Sequence, residues 1–155
     1  MYKKIMVPLD GSNLAECVLP HVESLVKAGQ VGEVVFARVA EPYNFNLMSG
    51  EELPKAEDIV RFDAEARAGA EKYLQTVVDR AKTNGVSVRG EVLIGRPSVK
   101  LAEYANSGGF DLMMIATHGR SGVSRWVWGS VADRLLRAVC IPILMVRAPG
   151  CVPGI

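Results

Sequence analysis

The chain is poor in the features that mark secreted, membrane-spanning and strongly basic proteins. Its 155 residues hold three cysteines, Cys17, Cys140 and Cys151, with no CxxC pair. An odd count without that spacing argues against a disulfide framework and fits free thiols in a reducing compartment. No apolar run approaches the roughly 18 residues that span a bilayer. The run after Lys3 and Lys4 stops at Asp10, too short for a signal peptide. The expectation is a cytoplasmic protein with no membrane association. A formal charge of +1 excludes a protein that is basic overall and wraps nucleic acid. Walker A (GxxxxGK[ST]) and GxGxxG patterns are also missing, so the standard kinase-like and dinucleotide readings lose support.

What is present reads as one globular domain over residues 1–147 with a tail at 148–155. Hydrophobic residues make up 49% and charged residues 23%, well above the apolar content of disordered chains. The run Lys4-Ile-Met-Val-Pro-Leu9 reads as a buried strand closed by Asp10-Gly11-Ser12, a turn with a helix N-cap. A helix is expected from about Asn13 to Ala28, kinked by Pro20. Glu33 to Val39 is nearly all apolar, as in a parallel strand covered on both faces. Glu41 to Pro54 is long for a connector and reads as a mobile flap. Apolar residues from Ile59 to Ala81 recur at three- or four-residue spacing, which predicts a long helix over 55–84, broken near Gly69. Then come a strand (86–94), a helix opened by Pro97, and the strand Asp111–Ala116, with Met113 and Met114 as core filling. The glycine-containing stretch 117–129 follows, then a helix from Ser130 to about Val139 and a strand from Pro142 to Val146.

Such alternation requires an open parallel sheet with helices on both faces, and five strands favour the order 3-2-1-4-5. The chain reverses direction between strands one and four, and such sheets bind ligands at the strand C-termini there. Pro8 to Ser12 and Ala116 to Ser130 meet at that point. Between Thr117 and Arg147 there are five arginines against Asp133 alone. Gly119, Gly122 and Gly129 permit close approach of backbone amides, and Ser121, Ser130 and Arg120 or Arg125 add donors suited to phosphate. The same glycines also suit turns, and Ser130 with Asp133 resembles a capping pair. Spacing alone leaves both readings open. Asp10 suits a ribose hydroxyl or Mg²⁺, and equally a turn. Cys17 and His21 lie four apart, but without a second pair a packed helix face outweighs a metal site. His118 lacks the partners of a catalytic triad, and Trp126 and Trp128 read first as packing residues.

Through Val7-Pro8-Leu9-Asp10-Gly11-Ser12, Gly95-Arg96-Pro97, and Thr117 to Gly122 with Gly129-Ser130, the sequence resembles the universal stress protein family over essentially residues 2 to 147. The resemblance implies a Rossmann-like, adenine nucleotide alpha hydrolase-like fold. Family members that bind ATP carry G-x2-G-x9-G-[S/T] after strand four; here Gly119 and Gly129-Ser130 match and Ala116 replaces the first glycine. By resemblance, Pro8, Leu9 and Asp10 line base and ribose and Val39 packs on adenine. Ala116, His118, Gly119, Arg120, Ser121 and Gly122, with Gly129, Ser130 and Val131, surround the phosphates. The implied function is a regulatory module of the stress response binding ATP or another adenine nucleotide, with or without Mg²⁺, and carrying no catalytic residue. Alternatives are a slow ATPase or phosphotransferase, and an interaction protein without nucleotide. Strand five is apolar from Ile143 to Val146 and sits at a sheet edge, which predicts a homodimer through that strand.

Overall fold

A computed structural model of the protein describes residues 2–43, 55–81, 85–116 and 130–147. Most of the expected flap, the whole glycine-containing stretch 117–129 with both tryptophans, and the tail lie outside them. Five parallel strands form one sheet in the order β3-β2-β1-β4-β5. They are β1 (Tyr2–Pro8), β2 (Val31–Ala40), β3 (Ser87–Ile94), β4 (Leu112–Ala116) and β5 (Ile143–Val146), with α1 (Leu19–Lys27), α2 (Ala56–Ala81), α3 (Pro97–Ser107) and α4 (Ser130–Ala138) between them.

Alternation along the buried strands divides the core in two. Ile5, Val7, Leu9, Val34, Phe36, Leu112 and Met114 face one way and pack with Val22 and Val26 of α1 and Leu74 and Val77 of α2. Met6, Val35, Ala37, Met113 and Ile115 face the other way, against Leu101 and Ala105 of α3 and Leu135 of α4. Met113 and Met114 are both fully buried, one on each side. Each such aliphatic side chain contributes about 1.5–3 kcal/mol by leaving water.

Two expectations about helices are corrected. The segment after β1 is not one kinked helix: a 3-10 turn (Ala15–Val18) precedes α1, and Pro20 sits in the first turn of α1. A missing N–H costs nothing there, because first-turn amides have no partner within the helix. Nor does α2 break at Gly69, where an added Cβ would meet nothing within 4 Å. Glycine there weakens propensity without stopping the helix.

Register brings the strand C-termini level. Pro8 pairs with Ala37, Met6 with Met113, and Ala116 with Val146. Continued one residue beyond β1, the same offsets set Leu9 beside Arg38 and Ala116, and the Leu9 N–H donates to the Ala37 carbonyl at 2.8 Å. Arg38, Leu9, Ala116 and Val146 therefore form one row across β2, β1, β4 and β5, and β2 runs two residues beyond it, to Ala40.

Candidate functional site at the strand C-termini

The turn leaving β1 is built by its own side chains. The Ser12 N–H donates to Asp10 Oδ1 at 2.9 Å, and Ser12 Oγ accepts the Ala15 N–H at 3.1 Å. This is an Asx turn feeding a 3-10 turn. Gly11 between them has φ +86°, a left-handed backbone that glycine adopts without strain. Asp10 thus supports the turn, and its carboxylate is held at the point where the sheet reverses direction.

The neighbouring strands place the remaining residues. Val39, one position beyond Arg38, is half-buried against the α3 and α4 side, and so is Val131 in the first turn of α4. Ser130 is the exposed first residue of that helix. Ala116 is buried in the ladder opposite Val146, where extended backbone suits alanine as well as glycine. Asp133 turns along α4 to Arg137 at 3.2 Å, as an intrahelical ion pair. Of the residues proposed from sequence, Pro8, Leu9, Asp10, Val39, Ala116, Ser130 and Val131 gather at this end of the sheet. His118, Gly119, Arg120, Ser121, Gly122 and Gly129 lie outside the described residues.

A second group at the same edge escaped the sequence reading. The Arg38 guanidinium lies 4.8 Å from the centre of the Tyr73 ring. The Tyr73 hydroxyl donates to Glu16 Oε1 at 2.9 Å, and Arg80 donates to Glu16 Oε2 at 2.9 Å. Burial, followed by the bond to Glu16, pushes the Tyr73 phenol above its ordinary value. These contacts tie the 3-10 turn to α2. A basic residue interrupting the apolar stretch of β2 was the available signal.

Cys17 and His21, whose spacing favoured a packed helix face over a metal site, fall in consecutive elements, Cys17 in the 3-10 turn and His21 in α1. Burial pushes the Cys17 thiol up, away from the reactive thiolate. No group of three or more His, Cys, Asp or Glu stands together to hold a metal among the described residues. Likewise, no helix among them is long and apolar enough to cross a membrane.

The model of the universal stress protein family matches residues 1–147. The chain belongs to that family. Universal stress protein MJ0577 of Methanocaldococcus jannaschii is 25% identical over 158 residues, covering 95% of this chain and 96% of that protein. The structure reported for MJ0577 superposes with a TM-score of 0.82 at 22% identity, over 97% of this chain and 99% of that one. A universal stress protein in complex with cAMP superposes at 0.67 with 22% identity, over 95% and 98% of the two chains. An Arabidopsis thaliana family protein, At3g01520 with AMP bound, also reaches 0.67, at 14% identity over 96% and 93%. The fold of this universal stress protein is thereby shared with proteins solved with adenine nucleotides.

Proposed function

We propose that the protein is a regulatory module of the cytoplasm that binds an adenine nucleotide at the C-terminal edge of its sheet. The observation that carries this reading is the convergence of Asp10, Val39, Ala116, Ser130 and Val131 at the switch point, where open α/β sheets take their ligands. Superposable family members bound to cAMP and AMP support it. Base and ribose would meet Pro8, Leu9, Asp10 and Val39. Phosphates would meet the amides and hydroxyls from His118 to Ser121, Gly122, Gly129, Ser130 and Val131, with Arg120 as counter-charge.

ATP is the expected nucleotide. Mg²⁺ would be held chiefly by phosphate oxygens, with Asp10 the nearby carboxylate; one of its oxygens already accepts the Ser12 N–H. Calorimetry of the purified chain with ATP, alongside mass spectrometry of nucleotide extracted from it, tests the reading. Binding of one nucleotide per chain supports it, whereas a flat titration at millimolar ATP with an empty extract leaves an interaction protein without nucleotide. Multiple turnover near 1 s⁻¹ or faster, within the range of ordinary enzymes and lost in Asp10→Ala, would make the protein an ATPase.

The dimer through β5 belongs to the same proposal. Among the described residues β5 has a neighbour on one side only, and its Leu144 is 42% exposed. Val146, by contrast, is buried in the core, so Leu144 is the position to test. Leu144→Lys is expected to turn a two-chain mass into a one-chain mass by light scattering at micromolar concentration. One chain mass for the unmodified protein would refute the dimer.

A further inference from the structure

Elsewhere on the sheet, partly buried cations are met by carboxylates: Lys4 by Glu33 at 3.8 Å, and Arg89 by Glu33 and Glu91 at 2.9 and 2.7 Å. Arg38 is different. It is half-buried and stacks on Tyr73, yet among the described residues it has no carboxylate within 4.0 Å. Its guanidinium lies against Gly11, so closely that a Cβ there would stand 2.9–3.0 Å from its nitrogens and carbon. Tyr73, whose hydroxyl is committed to Glu16, presents only its ring face. The arginine is therefore held by the ring and by Gly11, beside the turn that carries Asp10, and its side chain donates no hydrogen bond among the described residues. Arg96 and Arg147, just beyond β3 and β5, likewise have no carboxylate partner among the described residues.

We propose that Arg38 is a specificity-determining residue that receives a phosphate group of the ligand at this edge. The assignment rests on the nucleotide reading and names the side from which charge is sensed. Val39 offers apolar surface on the α3 and α4 side of the rim, and Arg38 would meet a phosphate from the α2 side, across the edge from the start of α4. A planar guanidinium held by stacking keeps a fixed fork, which suits bidentate contact with phosphate oxygens. A single stacking contact with a tyrosine ring is weak, so Arg38 can be replaced without loss of the fold.

The test is calorimetry of the intact chain, Arg38→Gln and Arg38→Lys with adenosine, AMP, ATP and inorganic tripolyphosphate, with circular dichroism to confirm folding. Arg38→Gln is expected to lose about tenfold or more in affinity for ATP and tripolyphosphate while binding adenosine as before. Arg38→Lys, which keeps the charge and loses the fork, should fall between. Unchanged ATP affinity in Arg38→Gln, or equal weakening of adenosine and ATP, would overturn the proposal and leave the nucleotide reading standing. Tripolyphosphate binding that depends on Arg38, with no gain from adenosine in AMP or ATP, would keep the phosphate assignment and defeat the nucleotide reading. An intact chain that binds none of the four probes defeats both. If Arg38→Gln fails to fold, Arg38→Lys decides: wild-type ATP and tripolyphosphate affinity would overturn the assignment, and selective loss of both would sustain it.

Discussion

At the N-terminal end of the sheet charges close on one another, whereas at the C-terminal end Arg38 leans on a ring with no carboxylate partner among the described residues. Asp111 Oδ2 accepts the backbone N–H groups of Lys3 and Lys4 at 2.7 and 2.9 Å, stitching β1 to the approach of β4. Lys4 Nζ donates to the Gly108 carbonyl at 3.0 Å and sits 4.7 Å from the Phe110 ring centre. Arg89 bonds Glu33, Glu91 and the Tyr104 hydroxyl. Burial pulls the Arg89 pKa down, but these three bonds outweigh it and the net direction is up. One end is a satisfied network that fixes register, and the other holds an arginine that donates no hydrogen bond among the described residues. Ligand sites need such unspent groups, because a saturated group gains nothing from an arriving ligand.

The largest effect expected at the open end comes from the glycines of the loop. Gly119→Val or Gly129→Val should weaken ATP binding by more than about 100-fold with the fold retained, because a branched side chain blocks phosphate approach to the backbone. Calorimetry and circular dichroism on the same samples check both halves. At the closed end Asp111→Ala should act in reverse. Removing the acceptor of two backbone amides costs about 1–3 kcal/mol, read as a lower urea midpoint, while nucleotide affinity stays unchanged.

Much of the fold was legible in the sequence, and the part that was not has a physical cause. Strand order and the switch point follow from apolar runs alternating with amphipathic stretches, because burial on both faces demands parallel strands with crossovers. Pro20 misled because proline disrupts a helix interior but fits a first turn, and propensity alone does not mark where the 3-10 turn ends. The closed end stayed hidden because Asp111, Glu33 and Arg89 are far apart in the chain and meet only through strand register. Arg38 was visible as a charge in an apolar strand, but Tyr73, which fixes it, comes 35 positions later. Val146 looked like an edge residue by strand position, yet its side chain turns into the core.

Smaller changes sharpen the comparison. Ala116 ends β4 in the extended ladder opposite Val146, so Ala116→Gly should improve ATP affinity by less than about tenfold while lowering stability by roughly 0.5–1 kcal/mol. Weaker binding in that variant, measured by calorimetry, would make the alanine methyl a ligand contact. The smallest effect concerns Tyr73. Its folded pKa is raised, so above the ordinary value of about 10 the unfolded chain releases a proton that the folded chain keeps. The stability from the Tyr73–Glu16 bond is present below that pH and is lost as pH rises through the raised pKa. Tyr73→Phe should therefore be slightly less stable than the parent at neutral pH. The gap should narrow when urea midpoints are compared at pH 9 and pH 11.

The difference between the two ends is tested most directly by amide chemical-shift mapping of the isotopically labelled protein titrated with ATP. The account predicts saturable shifts for Leu9 to Ser12, Arg38 to Ala40, Ala116, Ser130 and Val131, with Lys3, Lys4, Glu33, Arg89 and Gly108 to Asp111 unmoved. Shifts concentrated at the second set, or none at either end at millimolar ATP, would contradict it.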